Sequence, residues 1–235
     1  MSKLVWDQVG ERYFEIGVKK GVLYPQVDGA YPEGVAWNGL STVTESPDGG
    51  EVTDIYADDI KYLQIRSVEN FKGTIEAYYY PDEFAPCNGE AEAATGVRIG
   101  QQTRKPFGFS YVTSLGNDVE YQDYGYKINL VWGASVAPTE ETHETINDSP
   151  EPDPFSWEFD TIPVSVTGFK PTAHMEIDST KFTSTEAKAK LAALEAVLYG
   201  QDATTGENAT AAITPHLPMP DDVLYILEHG EERTA

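Results

Sequence analysis

The sequence predicts a mainly β fold: a sandwich or barrel carrying one long antiparallel hairpin and a flanking α-helix. Three observations predict it. Apolar and polar residues alternate in Phe107-Gly-Phe109-Ser-Tyr111-Val-Thr113, in Tyr124-Gly-Tyr126-Lys127-Ile128-Asn129-Leu130-Val-Trp132 and in Phe155-Ser-Trp157-Glu-Phe159. That period of two belongs to strands with one buried face. Turn residues separate such runs, with almost no helical periodicity between them. The runs are also rich in Tyr, Phe, Trp, Val and Thr, which suit a pleated surface.

Taken in order along the chain, weaker strands are expected at 13–16, 21–24, 35–44, 62–66, 73–80, 97–100, 163–167 and 173–178. Residues 17–20 read as a short hairpin loop between the first two. Gly116-Asn117-Asp118 lies between two of the strongest runs. Residues 105–134 therefore read as the long hairpin. A single helical turn is expected at 81–84. One full helix is expected after Ser184 or Thr185, either of which can cap it, with Glu186 complementing the first turn. Leu191, Leu194, Val197 and Leu198 form its apolar stripe, and Gly200 ends it. A short C-terminal helix is expected from 221 to about 229, with Val223, Leu224 and Leu227 apolar, Pro220 at its start and Gly230 at its end.

Three stretches interrupt this pattern and read as long loops of a single domain over residues 1–235. Residues 46–59 hold Asp48, Glu51, Asp54, Asp58 and Asp59 without a Lys or Arg. Residues 138–154 hold Glu140, Glu141, Glu144, Asp148, Glu151 and Asp153, again without a cation. Residues 201–212 are rich in Thr, Ala and Gly. Loops beyond about 12–15 residues are uncommon in compact domains unless they serve a purpose. Each of the three is therefore expected to serve some purpose.

The charge balance excludes several function classes. Sixteen Lys and Arg face 39 Asp and Glu, a net charge of −23. Gripping a nucleic acid needs cations that neutralise phosphates, and docking on an anionic membrane needs Lys/Arg clusters. Neither is offered. Hydrophobic residues at 40% of the chain are enough to bury a core, so the acidity does not imply disorder. A lone cysteine, Cys87, rules out an internal disulfide and fits a reducing cytoplasm. The first residues carry no apolar signal segment, and no run of about 18 apolar residues reads as a membrane span.

No catalytic motif emerges. Neither phosphate-binding glycine pattern occurs. His143, His174, His216 and His229 lack partners at metal-ligand spacing. Cys87 reads as a packed thiol rather than a nucleophile, and Ser110 lacks the glycine elbow of a hydrolase serine. Glu76 and Glu158 interrupt aromatic strands and are the only pair to name for a carboxylate hydrolase. The plainer reading puts both on polar strand faces. Asp118 to Asp123 and Asn147-Asp148-Ser149 offer oxygens for calcium without EF-hand spacing. Tyr78-Tyr79-Tyr80 offers a stacking platform for a sugar or base, though packing is the plainer use. A calcium-dependent or carbohydrate-binding β-sandwich is thus the alternative to a structural protein. No cofactor is implied.

An ordered series of segments carries a resemblance. It begins with Lys3-Leu-Val-Trp-Asp-Gln-Val-Gly10, Gly21-Val-Leu-Tyr-Pro25, Gly34-Val-Ala-Trp-Asn-Gly-Leu40 and Tyr56-Ala-Asp-Asp-Ile-Lys-Tyr-Leu63. Its most specific stretch is Thr74-Ile-Glu-Ala-Tyr-Tyr-Tyr-Pro-Asp-Glu-Phe84, followed by Ile99-Gly-Gln-Gln-Thr-Arg-Lys105. It continues through Leu115-Gly-Asn-Asp118, Tyr124-Gly-Tyr-Lys127, Thr145-Ile-Asn-Asp-Ser-Pro150, Leu194-Glu-Ala-Val-Leu-Tyr-Gly200 and Leu217-Pro-Met-Pro-Asp221. In this series the chain resembles the major tail proteins, or tail tube proteins, of long-tailed phages and prophages of Gram-positive bacteria.

The resemblance implies a tail-tube-type β-sandwich with a flanking helix. It implies a structural subunit and no enzyme. Such subunits form rings, typically of six, that stack into a hollow tube around a tape-measure protein, with long loops making contacts between neighbours and rings; on that resemblance Asp48, Glu51, Asp54, Asp58, Asp59, Glu140, Glu141, Glu144 and Asp148 are the candidate contact positions. The tube later conducts DNA, so the subunit would be made in the host cytoplasm and end in the virion. Read separately from the sequence, the hairpin at 105–134 is the candidate lumen strand. Its residues Phe107, Phe109, Tyr111, Tyr124, Tyr126, Lys127, Ile128 and Asn129 are the candidate positions. Within it Lys127 and Asn129 share one face, and Ile128, Leu130 and Trp132 the other.

Overall fold

The computed structural model describes residues 3–143, 145–146, 148, 152–204 and 210–233. The fold is mainly β, built of antiparallel sheets with two helices. Its strands are β1 (Phe14–Pro25), β2 (Val35–Ala36), β3 (Leu40–Glu45), β4 (Asp48–Gly49), β5 (Val52–Ala57), β6 (Ile60–Arg66), β7 (Glu69–Asn70), β8 (Lys72–Ala77), β9 (Ala91–Ala94), β10 (Val97–Ile99), β11 (Phe107–Asn117), β12 (Tyr121–Val136), β13 (Phe155–Thr161) and β14 (His174–Asp178). The helices are α1 (Thr185–Tyr199) and α2 (Pro220–His229). One eight-stranded sheet runs β2-β1-β11-β12-β13-β8-β3, and β14 branches from β12. Three two-stranded ribbons stand apart from it: β4–β7, β5–β6 and β9–β10.

The long hairpin, β11 and β12, is the spine, and both its faces are buried. Ile128, Leu130 and Trp132 point with Val112 toward the helices. There they meet Leu191, Leu194, Val197 and Leu198 of α1 and Val223 and Ile226 of α2. On the opposite face Phe107, Phe109, Tyr111 and Val131 meet Ile75 of β8 and Trp157 and Phe159 of β13, with Trp37 and Phe84. Removing one such large side chain from water contributes roughly 1.5–3 kcal/mol.

Several polar groups inside these cores are paired, whereas the buried Trp157 indole N–H and Tyr199 hydroxyl have no hydrogen-bond partner. The Tyr24 hydroxyl donates to the Leu198 carbonyl at 2.9 Å and sits 3.1 Å from Ser110 Oγ. The Trp132 indole N–H donates to the Pro218 carbonyl at 3.0 Å. Ser184 caps α1 by accepting the Ala187 N–H at 3.0 Å, and Gly230 closes α2 in the left-handed conformation.

One residue lets β12 serve both cores. Gly133 has φ +63°, and Phe107 pairs with Ala134 while Phe109 pairs with Val131. The extra residue on β12 is a bulge, and it shifts the alternation of side chains. Ala134 and Val136 therefore join the core opposite to Trp132. Beyond the bulge β12 leaves β14 and pairs with β13.

The structure corrects several sequence expectations. Residues 17–20 do not reverse the chain. They lie within β1, where Gly17 (φ +75°) and Lys20 (φ +52°) make irregularities while pairing with β11 continues on both sides. Residues 46–59 are not a loop. They contain β4 and β5, and Asp58 and Asp59 (φ +51° and +59°) form the tight turn into β6. Two consecutive left-handed residues make the turn that matches strand twist, and Asp tolerates that conformation. The strand expected over 35–44 splits at Trp37–Gly39 into β2 and β3. Residues 163–167 contribute only the bridge between Val164 and Thr172. The described part of 138–154 is irregular. Residues 205–209, in the third expected loop, lie outside the described residues.

A Cβ added at Gly133 would sit 2.4 Å from the Ile162 carbonyl oxygen, whereas one at Gly168, also at positive φ, meets nothing. Gly168→Ala should cost about 1 kcal/mol for its left-handed backbone alone. Gly133→Ala should cost at least about 2–3 kcal/mol, because contact is added to strain. Denaturant midpoints of the two variants check this; equal losses would deny the contact its role.

Candidate assembly surface

The lower half of the main sheet consists of β1, β11, β12 and β14, and its edges are open. β2 covers β1 only at Val22 and Leu23, so among the described residues Phe14–Lys19 has β11 as its sole strand partner. Among the described residues β14 pairs only with β12. Each neighbouring pair is antiparallel, so β1 and β14 run in opposite directions. An unpaired edge is a template for another chain unless it is blunted.

One face of this half-sheet is polar. Lys127 lies opposite Thr113 on β11 and Asp178 on β14, and Asn129 lies opposite Tyr111 and Glu176. Lys127 Nζ reaches Glu15 of β1 at 2.8 Å and Glu176 at 3.0 Å. The Thr113 hydroxyl donates to Glu15 at 2.5 Å. Above this row Tyr111 donates its hydroxyl to Glu45. His174 Nε2 lies 3.3 Å from Asn129 Oδ1 and 3.7 Å from Glu45, with its ring stacked on Phe71.

Burial opposes ionisation of Glu15, but its bonds from Lys127 and Thr113 win and hold the carboxyl below its ordinary value. Lys127 is held above its ordinary value, first by Glu15 and then by Glu176, against the effect of burial. Desolvation depresses His174 despite Glu45 and Glu176, which favours its neutral form. The one lysine of this row is thus already claimed by two carboxylates.

Exposed apolar side chains concentrate elsewhere. The β5–β6 hairpin exposes Val52, Ile55, Tyr56, Ile60, Tyr62, Leu63 and Ile65. Its burial is slight on both faces. A lone two-stranded hairpin is marginal in water, so this one is suited to a partner. Near the N-terminus Leu4, Val5, Trp6 and Val9 are exposed as well. The backbone behind them is anchored on the β11–β12 turn, where Asp118 accepts the Gly10 N–H at 2.9 Å.

The expected lumen positions divide into two groups. Lys127 belongs to the polar row and Asn129, though buried, lies on the same face. Phe107, Phe109 and Tyr111 are at most 3% exposed, and Ile128 is fully buried. These four are corrected to core residues, since the chain's own aromatic layer and helices enclose them. Tyr124 packs on Tyr13, and the Tyr126 hydroxyl donates to Glu195 of α1 at 2.5 Å.

Of the expected contact residues, Asp48 binds Lys72 at 3.2 Å, Asp54 binds Lys61 at 2.7 Å, and Asp58 and Asp59 make the hairpin turn. Glu51, Glu140, Glu141 and Asp148 are exposed, and Glu144 lies outside the described residues. Glu76 and Glu158 stand diagonally across β8 and β13, on the side away from Ile75 and Trp157. Among the described residues no group of three or more His, Cys, Asp or Glu is placed to hold a metal ion. Sequence reasoning missed Glu15, Glu45 and Glu176, because only strand pairing brings them to Lys127 and Tyr111. The apolar face of β5–β6 was visible in Ile55, Ile60 and Leu63 but was masked by the acidic residues between them.

Replacing Lys127 with Met leaves Glu15 and Glu176 as neighbouring anions, and the variant should melt below the parent at pH 7. An exposed pair of this kind is worth at most about 1 kcal/mol. Glu15's folded value is depressed, so its contribution is present above pH 4.5 and lost as pH falls through the folded value. The difference in Tm should therefore shrink toward zero as pH falls below 4.5 and through that folded value. A difference that persists in acid would assign it to packing.

Neither a protein-family model nor a curated protein matches the chain.

Proposed function

We propose that the chain is a tail tube subunit: a structural protein of a phage tail that closes into rings, which stack into a conduit for DNA. The observation that carries this reading is the half-sheet with two open, oppositely directed edges. If β1 of one copy lies beside β14 of the next, the joint is antiparallel like every other joint in the sheet. Repetition around an axis then yields a closed barrel without edges. The mainly β fold, with α1 and α2 packed on one face of the long hairpin, supports the sandwich with flanking helix that such subunits carry. The β5–β6 hairpin, apolar on a chain otherwise so acidic, suits contact with a neighbouring subunit or ring.

In this reading the polar face turns inward. DNA carries one charge per roughly 1.7 Å of axis. A wall whose lysine is already bound to Glu15 and Glu176 offers no free cation in that row to grip phosphate, so a duplex slides. A tape-measure protein would occupy the same space beforehand. The virion tail is the corresponding location. For the calcium-binding alternative, no group of three or more His, Cys, Asp or Glu placed to hold an ion is found among the described residues.

Negative-stain microscopy of the purified protein should display rings or tubes about 100 Å across, the size expected of a few such domains around a channel. A net charge of −23 per copy makes neighbours repel, and salt screens that repulsion. Sedimentation should therefore detect more assembly at high salt than at low salt. A chain that stays monomeric at all salt concentrations would overturn the reading.

A further inference from the structure

We infer that residues 231–233 form a strap closed by a proton shared between His216 and Glu232, so that it holds in mild acid and lets go as pH rises. The inference does not rest on the ring reading. Gly230 ends α2 in the left-handed conformation, and its N–H donates to the Ile226 carbonyl at 2.7 Å. The chain beyond it lines a hollow of about 380 Å³, where Glu232 and Arg233 stand with Tyr31, His216, Leu217 and Met219.

Both ring nitrogens of His216 meet acceptors. Nδ1 lies 2.9 Å from the Thr214 carbonyl oxygen, and Nε2 lies 2.8 Å from Glu232 Oε1. A carbonyl oxygen only accepts, and so does an ionised carboxylate. A neutral imidazole has one N–H and satisfies only one of the two. Making both bonds therefore takes one proton more than a neutral ring and a carboxylate contain between them. Whether that proton sits on the ring or on Glu232, it is bound when the strap is closed and released when it opens. The state that binds it gains as pH falls and loses as pH rises. Histidine is the side chain that ordinarily changes charge between pH 5 and 8.

The ring is presented from the body of the fold. The His216 N–H donates to the Val197 carbonyl of α1 at 2.9 Å, and the Leu217 N–H to the Tyr31 carbonyl at 3.2 Å. Glu232 is thus the partner that can move away. The other groups around the strap do not supply the same dependence. On α2, Asp222 lies 3.7 Å from Arg233, and the Arg233 guanidinium lies 5.0 Å over the Tyr225 ring. His229 stacks on that ring at 4.0 Å and points Nδ1 at the Tyr225 carbonyl. Positive charge on His229 would repel Arg233 and loosen the strap in acid, which is the opposite sign. On α1, Lys190 beside Gly230 is bound to Glu186 at 2.8 Å. The Tyr31 hydroxyl accepts from Gln26 and from the Gly133 N–H.

A spin label on the strap of the full chain tests this. Glu231 is exposed, and Glu231→Cys provides the attachment point. Cys87 is buried and its thiol is pushed up to about 12 by desolvation, so a thiol-specific nitroxide takes only the new cysteine. The His216 and Glu232 side chains are 26% and 45% exposed, and pairs of this kind are weak. The ratio of mobile to immobile label should therefore rise about threefold from pH 5.5 to pH 8.5.

Two further variants, each made with Glu231→Cys, assign the effect. In Glu232→Gln the amide can donate to an unprotonated Nε2 while Nδ1 keeps its bond to Thr214, so the label should stay as immobile at pH 8.5 as at pH 5.5. His229→Gln should leave the threefold rise unchanged. Equal ratios at the two pH values in the labelled Glu231→Cys protein would overturn the strap. A rise that survives Glu232→Gln, or one that disappears with His229→Gln, would overturn it as well.

Discussion

The fold depends on β12 being allowed to change partners midway. A regular strand buries alternate side chains on alternate faces and keeps the same neighbours throughout. β12 breaks that rule at Gly133, whose left-handed backbone and missing Cβ let it pass within contact of Ile162. Below the bulge the strand pairs with β14 and lends Ile128, Leu130 and Trp132 to the helix-side core. Above it, the strand pairs with β13 and lends Ala134 and Val136 to the aromatic core. The two cores are thus joined through one backbone rather than through a loop.

That division has a consequence for the surface. Where β13 and β8 cover the hairpin, its face is aromatic and closed. Where they do not, the same face is polar, with Lys127 held between Glu15 and Glu176. The uncovered half also keeps both its edges, because β2 protects only the upper part of β1 and nothing described flanks β14 beyond β12. Open edges are ordinarily a hazard. In the proposed ring these are the two edges that would be joined, antiparallel like every other joint in the sheet.

The charge of the chain takes its meaning from placement. Acidic residues expected to hang in loops are partly structural. Asp58 and Asp59 make a hairpin turn, Asp48 and Asp54 bind lysines, and Asp118 anchors the N-terminal segment. The exclusion of phosphate-gripping partners, drawn from the total, agrees with the polar row, where the lysine is neutralised. In the proposed ring, self-repulsion among copies would be the accompanying cost, which apolar contact such as that offered by the β5–β6 hairpin would have to offset.

Local pattern alone determined much of this protein. Period-two alternation located β11, β12 and β13, and the Ser184 cap and Gly200 bounded α1, because those signals act between residues close in sequence. It also placed Lys127 and Asn129 on one face and Ile128, Leu130 and Trp132 on the other. Tertiary structure decided the rest. Alternation cannot say which sheet covers a face, so Phe107, Phe109 and Tyr111 looked available and are enclosed. Positive φ at Lys20, Asp58 and Asp59 turned an expected loop into strand and another into a hairpin. Glu15, Glu45, Glu176 and His174 come together from β1, β3 and β14 through strand pairing, an outcome of long-range register that no short window of residues encodes.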